Sequence, residues 1–422
     1  MKIVQDCIRI AHRKEAVQVG SLYVSMVIGI ALGFGVTIVN TRLLGPEDYG
    51  NLKFLIHVFT FTATVTTFGF FISSSRLLAI RENKHIKSEL IGGSLTFASI
   101  ISFLTIVILC IFSFFVDDLF HPGLGRLIRL LSPLLFIFPF RMCLENILQG
   151  DNRILQLATF RIIPQLLYLL GALAFNYFVP LSLPTCLSIQ LGCTALVILI
   201  MFWLSGPKTK YLHQMMSMIH RENKAYGFHV YLGMLANVAT GQLLGIFLGY
   251  FLDTTSVGFY SLALMITTPL SFVPSAFGTT LFKTFANRSS IPTKAFIGAI
   301  CLSVLTLIAF FMLIEKIIIL AYSAKYKPVV PLAYIAALGS TFQGFGDFIN
   351  RFLGAHGKGR ELRNTAFCVG AVTLAGCFVL IPSLGTTGTV ISKMLSSVLY
   401  CSMMCHYYRK RHLGQKVKTL SY

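Results

Sequence analysis

Charged side chains are scarce in this chain, so the few inside long apolar runs carry most of its chemical information. Arg141 and Glu145 stand four apart, Arg161 lies about two turns into the next apolar run, Asp347 and Arg351 again stand four apart, and Lys393 lies alone further on. On a helix, an i, i+4 arginine–carboxylate pair shares a face and can neutralise itself. Arg161 and Lys393 have no acid at helical spacing. A charge at mid-bilayer costs about 3 kcal/mol, so such residues face either a partner or a polar cavity. Self-neutralisation with a packing role is one reading of each pair, and a cavity role is the other. For Arg161 the cavity role is favoured, while Lys393 is equally placed to snorkel to a membrane surface.

The embedded charges are also unbalanced in sign. Arg42, Arg76, Arg141, Arg161, Lys283, Arg351 and Lys393 stand against Glu145, Asp253 and Asp347. That excess of cations suits an anionic ligand such as a diphosphate. A polar stripe adds neutral groups: Lys53, His57, Thr60, Thr64, Thr67 and Ser74 advance by three, four or seven and so share one helical face. Either the hydroxyls bond back to their own helix and merely ease packing, or the stripe is a hydrated wall suited to sugars. Asn237, Thr240 and Gly241 in a later run, and Asn40, Thr41 and Arg42 in the first, offer similar groups.

Catalysis finds no support. There is no HExxH, GxSxG, phosphate-binding loop or carboxylate cluster, and no catalytic residue, metal site or cofactor is expected. The ten cysteines fall mostly inside apolar runs without metal-site or disulfide spacing, and Cys401 with Cys405 reads as packing on one helical face.

The elements that must hold these groups are membrane helices. Hydrophobic residues make up 55% of the chain and charged ones 12%, against about one quarter charged in a soluble domain. The net charge of +20 is spread over short loops instead of one basic domain, which excludes a nucleic-acid reading. Apolar runs between turn signals give about twelve spans. They cover 19–43, 51–78, 90–115, 127–148, 154–178 and 185–204, then 227–251, 257–282, 295–314, 329–352, 362–380 and 388–408. The expected organisation is an amphipathic segment at 1–18, six-helix lobes at 19–204 and 227–408, a basic linker at 205–226 and a basic tail at 409–422. Prolines inside spans, at 133, 139, 164, 269 and 274, free backbone groups and permit bends. With this arrangement 25 of the 35 Lys and Arg residues fall on one side. The positive-inside rule makes that side cytoplasmic, together with both termini.

The lobes also repeat one another. Leu44 to Gly50 lie over Leu252 to Gly258, with Glu47 and Asp48 in one turn and Asp253 in the other. Phe68 to Ala79 match Ala276 to Ala286 with a one-residue slip that sets Arg76 against Lys283, and Leu148 to Gln156 echo Leu353 to Arg363 more weakly. Internal symmetry in a hydrophobic chain is the mark of a transporter whose site lies between its repeats.

With these residues laid out, the chain resembles the polysaccharide-biosynthesis export family, the Wzx-type flippases of the superfamily that also holds multidrug extruders and the lipid II flippase. RLLGPEDYG at Arg42 to Gly50, Phe68 with Gly69, and GYFLDTTSVGFYSLA at Gly249 to Ala263 carry the resemblance, as do AFGTTLFKTFA at Ala276 to Ala286 and LAYSAKYKPVVPLAYI at Leu320 to Ile335. It implies an all-α polytopic membrane protein of about twelve transmembrane helices, with two pseudo-symmetric six-helix lobes in a MATE-like V. It implies a non-enzymatic flippase that moves an undecaprenyl-diphosphate-linked oligosaccharide, an O-antigen or related repeat unit, across the bacterial inner membrane by alternating access. Membrane lipid and other polysaccharide-assembly proteins, a polymerase or a chain-length regulator, are the further partners implied. The cavity positions that match by location are Arg42, Arg141, Glu145, Arg161 and Asp347, and the residue reading adds Lys53 and His57. A cation-coupled multidrug extruder of the same fold is the first rival, and a polymerase or ligase of the same pathway the second.

Overall fold

The structure is a computed structural model. It describes the backbone over 2–420 except positions 121, 282–284, 286, 287 and 289, and side chains over that range except 2–26, 236–240 and 411–420. The amphipathic reading of 1–18, the side chains of Asn237, Thr240 and Lys283, and most of the basic tail lie outside the described residues.

Among the described residues the chain is helical throughout, with no strand. The first half contains α1 (Lys2–Thr66), α2 (Phe70–Ile80), α3 (Lys84–Leu119), α4 (Leu124–Leu131), α5 (Ile137–Gly150), α6 (Ile154–Phe178) and α7 (Leu183–Ser205). The linker carries α8 (Leu212–Glu222) and a π-helical turn at Asn223–Gly227. The second half contains α9 (Phe228–Phe251), α10 (Thr254–Thr280), α11 (Thr293–Ile317), α12 (Val329–Ala355) and α13 (Gly359–Leu420).

Two of these helices are too long to be single spans, and each breaks once at a glycine. In α1 the break is Gly45 (φ 76°, ψ 176°), a conformation that only glycine adopts without strain. In α13 it is Gly385 (φ 61°). Among the described residues eight helices are long and apolar enough to cross a membrane, or nine with Leu124–Leu134 and Ile137–Gly150 taken as one span bent by 44°. Dividing α1 and α13 at their glycines and adding α9 brings the described helices to the expected number of about twelve. The run read as one span over 51–78 is interrupted: Phe68 and Gly69 both take positive φ, 46° and 85°, and separate α1 from α2.

The apolar core extends outward onto the surface, and small polar residues are buried within it. Phe103, Phe114, Trp203 and Leu320 are more than two-thirds exposed, whereas Ser73, Ser94, Thr105, Ser113 and Thr267 are fully buried. Lipid offers no hydrophobic drive for helices to associate, so small hydroxyl residues line close helix contacts and large apolar ones face outward.

By their contacts the residues sort into two units, Met1–Leu44 with Phe59–Leu232, and Gly45–Val58 with Gly233–Tyr422. In the first unit the hydroxyls of Thr66 and Thr105 pair at 2.8 Å, and Tyr168 donates to Asn40 Oδ1. The linker joins this unit by burying Met215 and Ile219 of α8. The second unit holds an aromatic core in which Phe285 meets Phe348 and Phe352 edge-on at 5.8 and 5.3 Å, beside Met404. It also brings together the repeat-related glycines: a side chain on Gly50 would strike the Thr254 carbonyl, and one on Gly258 would strike Gly50. The two helix starts after the turns, Gly45–Val58 and α10, therefore cross at near backbone contact.

Candidate functional site

In the first unit, α5, α6 and α7 bring charge and amide groups to one small pocket. The sequence places Arg141 and Glu145 one turn apart on α5, and Arg141 Nε donates to Glu145 Oε1 at 3.2 Å. Arg161, on α6, donates from Nη2 to the other carboxylate oxygen, also at 3.2 Å. One carboxylate thus spaces two guanidinium groups and leaves the cluster one positive charge in excess. The arginine side chains stay about half exposed, at 52% and 49%, so their remaining donors are open to a ligand. The pocket, of about 60 Å³, is lined by both arginines with Pro164, Gln165 and Tyr168 of α6 and Gln190 and Thr194 of α7. The side-chain oxygens of Gln165 and Gln190 are buried there without a hydrogen-bond partner among the described residues. Chemically, the arrangement offers forked cationic donors to an anion, with the two amide oxygens enclosed behind them.

The remaining candidates lie elsewhere. Arg42 is exposed at the end of the first span, within the first unit but outside this pocket. Lys53 and His57 belong to the second unit, with Lys53 Nζ 5.3 Å from the Tyr49 ring centroid. The His57 imidazole is fixed at both nitrogens, Nδ1 at 2.6 Å from Gln242 Oε1 and Nε2 at 3.1 Å from Ser261 Oγ. Along the rest of that stripe Thr64, Thr67 and Ser74 donate to carbonyls of their own helix turns, at 2.7, 2.9 and 3.0 Å. Asp347 accepts from Tyr400 at 3.0 Å and from Gln343 at 3.5 Å, and forms no ion pair with Arg351 among the described residues. So Arg141, Glu145 and Arg161 are brought together, whereas Arg42 stands apart from them and Lys53, His57 and Asp347 lie in the other unit.

A search restricted to charges misses Gln165, Tyr168, Gln190 and Thr194. A signal was present: Gln165 follows Arg161 by one turn, and Gln190 is the one amide side chain in α7. A buried amide in a membrane span is costly unless bonded, so each is as informative as a charge.

A model of the family described as polysaccharide biosynthesis protein matches residues 17–289. Among solved structures, the lipid II flippase MurJ in an inward closed conformation superposes with a TM-score of 0.72 at 14% identity, over 94% of this chain and 90% of that one. An inward-facing multidrug resistance MATE family transporter of the MOP superfamily gives 0.71 at 16% identity, over 94% and 99%. A MOP superfamily transporter from Pyrococcus furiosus, described by the reversed polarity of its binding pocket, gives 0.59 at 13% identity, over 94% and 96%. At these identities the likeness is one of fold. No curated protein matches the chain by sequence.

Proposed function

Since this chain belongs to the polysaccharide biosynthesis protein family, we propose that it is a flippase for undecaprenyl-diphosphate-linked oligosaccharide, an O-antigen or related repeat unit. It works without catalysis, by alternating access across a bacterial inner membrane, with the lobes 19–204 and 227–408 as its moving bodies. The distribution of Lys and Arg supports an orientation with both termini in the cytoplasm. A polysaccharide polymerase or chain-length regulator would take the product onward.

One observation carries the reading: two arginines share a single carboxylate beside two unbonded amide oxygens, inside membrane helices. Guanidinium forks match phosphate oxygens in pairs, and the enclosed amide oxygens would meet sugar hydroxyls once the pocket opens in the transport cycle. A cationic drug would require the opposite sign, and Glu145 is already neutralised from both sides. Arg42, Lys53, His57 and Asp347 are proposed to contact the substrate at other stages. Transport further requires that binding differ between the two access states.

The test is translocation of a fluorescent undecaprenyl-diphosphate oligosaccharide in liposomes, comparing the parent with Arg141→Ala and Arg161→Ala after checking insertion and folding. Each variant is expected to lose about tenfold or more in rate, the scale of one lost charged contact. Unchanged rates would remove the arginines from the translocation path. Export of a cationic dye by a parent that moves no lipid-linked glycan would replace the flippase reading.

A further inference from the structure

The second unit holds a cavity that the charge pattern did not single out. It encloses about 240 Å³, four times the open space at the arginine pair. Its polar lining is Thr268 and Ser271 of α10, Ser340 and Gln343 of α12, and Lys393 and Ser397 of α13. Lys393 lies eight residues beyond the Gly385 break, about 12 Å along the helix at 1.5 Å per residue, well inside a span.

The chemistry of this lining is specific. Ser271 and Thr268 donate their hydroxyl hydrogens to backbone carbonyls of α10, and Ser340 donates to Thr267. Ser397 donates to Lys393 O and to Gln343 Oε1, and Gln343 donates from Nε2 to Asp347. With the hydroxyl hydrogens spent, the Ser and Thr groups keep oxygen lone pairs, and Gln343 keeps its second N–H; together they suit a ligand rich in hydroxyl groups, which both donate and accept. The exception is Lys393. Its ammonium, all donors, makes no ion pair among the described residues, and the acid that acts on it, Asp347, already accepts from Tyr400 and Gln343. An ammonium inside a membrane span without a contact acid is expensive to keep unless something else satisfies it.

We propose that this cavity is a subsite for a carboxylate-bearing sugar, with hydroxyls on the Ser, Thr and Gln oxygens and the carboxylate on Lys393. The inference rests on the flippase reading and adds to it the class of glycan carried. A compact single ammonium suits a monoanionic carboxylate, whereas a diphosphate is better matched by the paired forks of Arg141 and Arg161.

The experiment uses the purified full-length protein and soluble glycans without lipid or diphosphate: a trisaccharide containing one glucuronate and its all-glucose analogue, compared by calorimetry. The parent is expected to bind the acidic trisaccharide at least about tenfold more tightly. Lys393→Gln is expected to abolish that preference and Lys393→Arg to keep it. Thr268→Val, which removes an acceptor at the wall and no charge, is expected to weaken both glycans. A parent without preference, or Lys393→Gln reducing both affinities by the same factor, would overturn the subsite. So would displacement of the acidic trisaccharide by inorganic diphosphate in the parent but not in Lys393→Gln, which would make this a phosphate site. Preference at Lys393 in a protein that flips no lipid-linked glycan would overturn the flippase reading alone.

Discussion

Phe68–Gly69 and Phe277–Gly278 are the same dipeptide at matching places in two copies of one repeat, yet the first breaks a helix and the second continues one. At the first, Phe68 and Gly69 take positive φ and end α1. At the second, Gly278 sits inside α10, which runs unbroken from Thr254 to Thr280 through Pro269 and Pro274. The difference lies in what stands beside the chain. A helix break frees carbonyls that must be satisfied inside a membrane. In the first unit the linker and the start of α9 supply the donors: Asn223 Nδ2 reaches Phe68 O at 3.0 Å and Tyr231 OH reaches Val65 O at 2.6 Å. Ser73 then donates to Asn223 Oδ1 at 3.1 Å, closing the arrangement. A local motif permits the break, and a tertiary partner makes it stable.

The turns that start each copy differ in the same way. Gly45 makes its corner by backbone conformation alone, whereas at the matching position Asp253 keeps an extended backbone and caps α10, accepting from Ser256 N at 2.6 Å. The helices that follow still meet at Gly50 and Gly258, so the two solutions reach one packing. The largest expected effect is therefore at that shared crossing. Gly50→Val should destabilise the protein by about 3 kcal/mol, because the new Cβ meets the Thr254 backbone and neither helix can retreat. Gly192→Ala in α7, where the added methyl meets nothing within 4 Å, should be neutral or slightly stabilising in the same thermal unfolding series. Equal losses in both would mean that the close crossing at Gly50 does not constrain the fold.

Next in size is the partner-dependent break. Asn223→Ala removes two hydrogen bonds from a site that is nearly fully buried, and should cost about 2 kcal/mol. Amide exchange should rise at 70–73 and stay unchanged near Thr280, where no such partner stands among the described residues. Acceleration at both places would mean that the loss is global and would erase the contrast between copies. At the turns, Gly45→Ala should cost about 1–2 kcal/mol through backbone strain. Asp253→Ala should cost about 1 kcal/mol through the lost cap. Asp253→Asn should recover most of the second loss, since either side chain caps, and no asparagine substitution should rescue the first.

These contrasts mark how far the sequence can be read. Hydropathy and turn residues show the twelve spans and the repeat because both are local patterns, and the glycine breaks at 45 and 385 fall at turns between expected spans. The break at Phe68 is not visible, because its cause lies some 155 residues away at Asn223. Arg161 has the same limitation. It has no acid at helical spacing because its carboxylate is on another helix, 16 residues earlier. The Asp347–Arg351 ion pair that the spacing allows does not form among the described residues, and the Tyr400 and Gln343 groups reach the carboxylate instead. Spacing proposes partners within one helix, and packing decides among helices.

The smallest expected effect bears on the candidate site. The turns at Asn152 (φ 55°) and Gly357 (φ 70°) align the weaker echo at a shift of 205, which sets Arg141 and Glu145 over Gly346 and Asn350. Where the first copy carries an ion cluster, the second has Asn350 donating to Tyr400 at 2.7 Å, with the Tyr400 ring lying where a Gly346 side chain would be. Only the second arrangement is closed packing. Asn350→Ala should therefore cost about 1 kcal/mol. Glu145→Gln should change stability by less than about 1 kcal/mol, because half-exposed ion pairs contribute little. The same substitution raises the charge of the arginine pair by one and should tighten binding of inorganic diphosphate to the purified protein, more so at low salt. Should Glu145→Gln instead lower stability by several kcal/mol while the still-folded protein binds diphosphate with unchanged affinity, the cluster is scaffold like its counterpart, and the arginines of the first unit lose their claim on the substrate.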